Sequence, residues 1–211
     1  MPVELRAEAA DYSSIDTAMM TRCVELSAIA TDHGEFPFAT VIAKEGRIMA
    51  ETTNRVVRDA DITRHAEIIA VSEVQRTLGR DLSDCTLYSN VEPCAMCSFA
   101  IRESGIGRVV YAIESPMMGG LSKWNVLRDG EISEVMPEAF GGIPEVIAGL
   151  MRREAEQVWQ KWNPVAWAII KHRGCLGSPE DAAHSRHLHA VPRRRSLFRA
   201  LATLYRMWRS A

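Results

Sequence analysis

The chain has 211 residues, 47% hydrophobic and 25% charged, the balance of a globular domain with an extension rather than of a disordered or fibrous chain. Its 27 Asp and Glu all lie in residues 1–181 with 18 of the 25 Lys and Arg, so this body has a net charge of −9 and seven arginines follow it. A body of that sign argues against a phosphate-tracking surface, and no apolar run approaches the ~18 residues a membrane-spanning helix needs.

The opening, MPVELRAEAADYSS, lacks the basic and apolar regions of an export signal. The expected location is therefore the cytoplasm, where the five cysteines would be thiols. Ser13-x-x-Asp16 resembles a capping box and precedes Ile15, Met19, Cys23 and Val24 at helical spacing, predicting a helix over 14–31 that Asp32-His33-Gly34 closes. Phe38 to Ala43 and Arg47 to Thr52 read as a hairpin turning at Glu45-Gly46. A loop from Asn54 to Ile62 leads to a second helix, Arg64 to Leu78, stopped by Gly79. Thr86 to Asn90 is a strand, Cys94 to Glu103 a helix opened by Pro93, and Arg108 to Ile113 another strand. This alternation predicts an α/β fold with a mixed sheet and helices on its faces.

Eight of the 29 residues from Pro116 to Pro144 are Gly or Pro, which predicts irregular chain. Ile147, Leu150, Met151, Val158 and Trp162 have helical spacing, predicting a helix over 145–162; after Pro164, Val165 to Ile170 reads as a short strand or helix. The expected organisation is a domain over 1–172, a linker over 173–192 and a basic amphipathic helix over 193–211, with Leu197, Leu201, Leu204 and Trp208 on one stripe. That stripe is expected to pack within the protein's own assembly, with RNA, anionic lipid and a partner helix as the alternatives.

The chemistry-bearing residues are His65-Ala66-Glu67 and, with 28 residues between His65 and Cys94, Cys94-Ala95-Met96-Cys97 behind Pro93. One imidazole and two thiolates form a set suited to Zn2+, leaving a fourth position for water. Both groups fall at predicted helix starts, where free N–H groups and the helix dipole favour thiolate over thiol. Zinc would bring the pKa of its water to about 7, and Glu67, beside the metal but not a ligand, is the natural proton shuttle. A purely structural zinc site would need a fourth ligand, with Cys23, Cys85 and His33 as candidates; otherwise Cys23, Cys85 and Cys175 read as small core residues.

H-x-E followed by P-C-x-x-C is the known signature of zinc deaminases. From about Gly34 to Tyr111 the sequence resembles the cytidine deaminase-like superfamily, nearest the branch of guanine deaminases, cytosine deaminases and tRNA adenosine deaminases. FPFATVIAKEGRIMA, the Asn54 loop, TRHAEIIA, TLYSNVEPCAMC and GIGRVVYA follow in family order. The resemblance implies a three-layer α/β/α sandwich, here with a helical C-terminal extension. It implies His65, Cys94 and Cys97 as zinc ligands, Glu67 as the proton shuttle from water to ring nitrogen and departing ammonia, and Asn54 and the Ala66 N–H as substrate contacts. It also implies a homodimer. The chain departs from the family at Ala39-Thr40, where Gly-Ala is commoner, at Ile62, where proline is, and at Arg64, where a small residue is usual.

Three further residues are candidate substrate contacts. Phe36 and Trp124 offer stacking surfaces, against the alternative that each is core. Glu114, just past a strand end, would accept from the N1–H and amino group of a guanine-like edge, against the alternative of a surface glutamate. His184, His187 and His189 read as a solvated polar segment rather than a second metal site. The expected function is zinc-dependent hydrolytic deamination of a nucleobase or nucleoside, guanine-like first. The alternatives are a tRNA adenosine deaminase, a cytosine- or cytidine-type deaminase, and an inactive zinc-binding module.

Overall fold

A computed structural model describes residues 12–178. The sequence-predicted linker beyond 178, its three histidines and the basic helix over 193–211 lie outside the described residues. Helix α1 (Ser14–Asp32) is set by a complete capping box: Ser13 Oγ accepts from the Asp16 N–H, and an Asp16 oxygen accepts from the Ser13 N–H, both at 3.0 Å. Strands β1 (Ala39–Lys44) and β2 (Arg47–Thr53) form the predicted hairpin, with Glu45 and Gly46 both at positive φ in its turn. Helix α2 (Ala66–Leu78), β3 (Cys85–Val91), α3 (Ala95–Glu103) and β4 (Arg108–Ile113) follow. Next come a 3-10 turn (Val126–Arg128), α4 (Gly130–Val135), β5 (Glu145–Ala148), α5 (Arg152–Trp162) and α6 (Pro164–His172).

The sheet runs β2-β1-β3-β4-β5, antiparallel across β1 and parallel from β3 to β5. Alternate residues of β1 divide the interior. Ala39, Val41 and Ala43 pack with α1, α5 and α6 around Trp159, whereas Ile42 packs with Val74 of α2 and Ile101 of α3. Helices cover both faces, and the three-layer α/β/α sandwich expected from the resemblance is the observed architecture. The parallel β3-α3-β4 unit aims the end of β3 at the start of α3, which is where Cys94 lies.

The predicted helix over 145–162 is instead a four-residue strand followed by α5. Gly149 and Met151 adopt positive φ between them, so Ile147 joins the sheet while Val158 and Trp162 ride the helix. A strand this short shows no alternation long enough to compete with the helical spacing of its neighbours. Val165 to Ile170 lies in α6, capped by the Asn163 side chain on the Ala166 N–H at 2.9 Å. The first residues of the predicted linker lie on the domain: Leu176 is buried, the Cys175 carbonyl accepts from the Ser115 hydroxyl, and the Gly177 N–H donates to the Glu114 carbonyl.

Candidate metal centre and active site

His65 and Cys94 are each the residue preceding a helix, one position earlier than a helical first turn. Thr52 Oγ1 donates to the Ala66 carbonyl at 2.7 Å and ties the start of α2 to β2. His65 Nδ1 lies 3.6 Å from Cys94 Sγ and 3.4 Å from Cys97 Sγ, and the two sulfurs are 3.5 Å apart. Tetrahedral zinc, with bonds of about 2.3 Å to sulfur and about 2.0 Å to nitrogen, requires about 3.8 Å between sulfurs and about 3.5 Å between nitrogen and sulfur. The three donors are already near that spacing. Neither Cys23, Cys85 nor His33 joins this cluster among the described residues. Cys23 instead points its thiol at the Ala39 carbonyl, and burial pushes its pKa up, as expected of a core cysteine.

The electrostatics suit a cation. The Cys97 contact, with help from His65, holds the Cys94 thiol down at about 4. The same sulfur–sulfur contact and burial push Cys97 well up, and Cys94 raises the pKa of His65. Before any metal arrives, one thiolate is therefore already favoured. Glu67 is 8% exposed at the second position of α2. Burial first, and the Cys94 charge second, push its carboxyl up to about 7.

Asn54 follows β2 and is buried, its N–H donating to the Phe38 carbonyl and its side-chain Nδ2 donating to Glu35 at 2.9 Å. Ala66 is fully buried at the first position of α2, where a backbone N–H has no intrahelical acceptor. Phe36 is half-buried with its ring edge-on to Trp162, centroids 5.2 Å apart. Trp124 is 57% exposed beneath Lys123. The Glu114 carboxylate is engaged by Arg152 at 2.9 Å.

Two buried glutamates escaped the sequence reading. Glu35 orders the Asn54 loop, accepting from the Val57 and Arg58 N–H groups besides Asn54. Glu92, one residue past β3, accepts from the N–H groups of Ser115, Leu121 and Ser122 and from the Ser122 hydroxyl. A Cβ on Gly119 would fall 2.1 Å from a Glu92 oxygen, so glycine lets that loop close on the strand end and bridge to Cys94. Their position beside Phe36-Pro37 and Pro93-Cys94 is the available clue; neither residue shows its partners in sequence spacing.

Residues 13–113 match the family described as the cytidine and deoxycytidylate deaminase zinc-binding region. A probable cytosine deaminase of Schizosaccharomyces pombe is 38% identical over 164 residues, covering 78% of this chain and 94% of that protein. The chain belongs to the cytidine deaminase-like superfamily. A tRNA-specific adenosine deaminase of Aquifex aeolicus is 33% identical over 127 residues, 53% of this chain and 84% of that one. The structure of the guanine deaminase from Nitrosomonas europaea superposes with a TM-score of 0.55 at 27% identity, covering 70% of this chain and 84% of that one. The protein is thus a zinc-dependent hydrolytic deaminase of a nucleobase or of tRNA adenosine, and the inactive-module alternative falls. Among the described residues, no helix is long and apolar enough to cross a membrane.

Proposed function

We propose that the chain deaminates a free nucleobase or nucleoside, a guanine-type purine first, with His65, Cys94 and Cys97 holding the zinc and Glu67 moving the proton. The observation that carries the reading is the convergence of His65, Cys94 and Cys97, whose donor atoms all lie within 4.8 Å of one another and leave one coordination position open, with the buried Glu67 carboxyl two residues from His65. When bound, zinc supplies Lewis-acid polarisation of the substrate's partner water. Glu67 takes one proton from the attacking water and delivers it to the ring nitrogen beside the amino-bearing carbon; it then takes the second proton, from the hydroxyl that attack leaves on that carbon, and passes it to the amino group, which departs as ammonia while the carbonyl forms. Asn54 and the Ala66 N–H orient the ring.

Likeness to the guanine deaminase structure supports the purine. The S. pombe relative favours cytosine as the second reading. Folded RNA is disfavoured by the −9 charge of residues 1–181. The test is ammonia release from guanine, cytosine, adenine, their nucleosides and a tRNA substrate. Guanine is expected to be fastest, and chelation of the zinc to abolish turnover. Activity on a neutral base should hold nearly constant between about 50 and 200 mM salt, whereas tRNA binding through several phosphates would weaken by about 10³-fold. Turnover confined to tRNA would overturn the proposal.

A further inference from the structure

We propose that Glu35 is a positioning residue for substrate recognition: it fixes which way the carboxamide of Asn54 faces. This rests on Asn54 contacting the base, as proposed above. Asn54 is 4% exposed and Glu35 is 2% exposed. A carboxamide can turn over with almost no change in shape, exchanging its donor and acceptor ends. At this site the exchange is blocked. One Glu35 oxygen accepts from the Arg58 N–H at 2.7 Å, the other from the Val57 N–H at 3.2 Å and from Asn54 Nδ2 at 2.9 Å. A group that only accepts can be met only by the amide nitrogen, so Oδ1 and the second Nδ2–H remain for a ligand.

The same glutamate thereby shapes the chain around the substrate contact. Asn54 is fixed at its backbone by Phe38, Arg55 by the Arg64 carbonyl at 3.0 Å, and Arg64 adjoins His65. Glu35 supplies the missing constraint, the side-chain orientation. Its partners are 19 to 23 residues distant in sequence. Without it, the donor and acceptor offered to the ring exchange places in a share of the molecules, and a recognition pair becomes a mismatch.

The test is a double-mutant cycle in the full-length, zinc-loaded protein, using the base it turns over fastest: wild type, Glu35→Gln, Asn54→Ala and the pair. Zinc content and Tm are measured alongside kcat and KM. Glu35→Gln cannot satisfy both backbone N–H groups and still accept from Asn54. It is expected to lower kcat/KM about 10- to 100-fold in the wild-type background, the range for mispairing one or two hydrogen bonds. In the Asn54→Ala background it should lower kcat/KM less than about 2-fold, while Tm falls alike in both. A residue that merely holds the loop would give the same loss of kcat/KM in both backgrounds, and that result overturns the inference. So does a near-normal Glu35→Gln when Asn54→Ala is crippled. A near-normal Asn54→Ala instead removes Asn54 as a base contact, and the inference falls with it while zinc chemistry at Glu67 stands. Should Glu35→Gln fail to fold, 15N NMR of the wild type decides: one Asn54 side-chain N–H, identified by its loss in Asn54→Ala, should be shifted downfield and slow to exchange, and its absence overturns the proposal.

Discussion

Asp16 and Glu67 occupy comparable places, the third residue of α1 and the second of α2, both buried against the same sheet. A helix start favours a negative charge in either case. Around Asp16 every other contact agrees: Arg108 donates to both oxygens, the Tyr88 hydroxyl donates at 2.8 Å, and Ser13 completes the capping box. Arg108 above all, with Tyr88 and Ser13, holds this carboxyl far below the usual carboxylate range. Around Glu67 the chain supplies burial and a neighbouring sulfur charge, which push the other way. One carboxylate is saturated and locks α1 to β4; the other is buried beside His65, Cys94 and Cys97. A buried acid whose surroundings disfavour its charge is the pattern of a functional site rather than of a structural one.

The comparison predicts two variants with crossed outcomes. Glu67→Gln should lower kcat by about 10²- to 10⁴-fold, the usual contribution of a proton-transfer group. It should leave close to one zinc per chain and an undiminished Tm, because the amide keeps the volume and removes a charge that burial penalises. Metal analysis, calorimetry and ammonia release read the three quantities; retained activity would remove Glu67 as the shuttle. Asp16→Asn should do the reverse, costing about 3 kcal/mol of stability, the low end for breaking a buried ion pair because Arg108 is partly exposed, with kcat/KM little changed.

The same pair separates with pH. The folded pKa of Asp16 lies below its unfolded value of about 3.9. Its stabilisation is therefore complete above that value and is lost as pH falls through it toward the folded pKa. The gap in unfolding free energy between wild type and Asp16→Asn should be widest near neutral pH and shrink below about pH 4. A gap independent of pH would mean that the ion pair is not what Asp16 contributes.

The legible part of the site was the part written in short spacings. His65, Glu67, Cys94 and Cys97 stand in two clusters whose residue types suit metal and proton chemistry, and folding brings the two helix starts together so that the His65, Cys94 and Cys97 donors converge. The capping box of α1 was legible for the same reason. Asp16's larger role was not, because Arg108 is 92 residues away and nothing at either position announces the pair. Glu35 and Glu92 were hidden likewise: their partners are mostly backbone N–H groups on distant loops, which every sequence possesses. Glu114 has a partner that its sequence position did not announce, Arg152, 38 residues further along the chain. The fold order was readable through β4, where alternation of strand and helix is regular, and was lost at β5, where four residues carry no usable period.

The finest cut at the comparison removes one contact of the saturated carboxylate. Tyr88→Phe deletes the hydroxyl that donates to Asp16 while Arg108 and Ser13 remain. Tyr88 is 2% exposed, and Asp16 helps raise its hydroxyl pKa after burial itself, so the bond joins a neutral donor to a charged acceptor. Its loss should cost about 1–2 kcal/mol, or roughly 2–8 °C in Tm for a domain of this size. The acid-unfolding midpoint should rise slightly, because removing one stabilising donor raises the folded pKa of Asp16 toward its unfolded value. Tyr88 packs against the α1 face of the sheet and α2, the helix that carries Glu67, packs its apolar residues on the opposite one, so kcat/KM should stay within about 2-fold of wild type, as for independent sites. A loss of activity matching the loss of stability would show that the two helix starts are coupled through β3, and the division between a stabilising carboxylate and a working one would have to be redrawn.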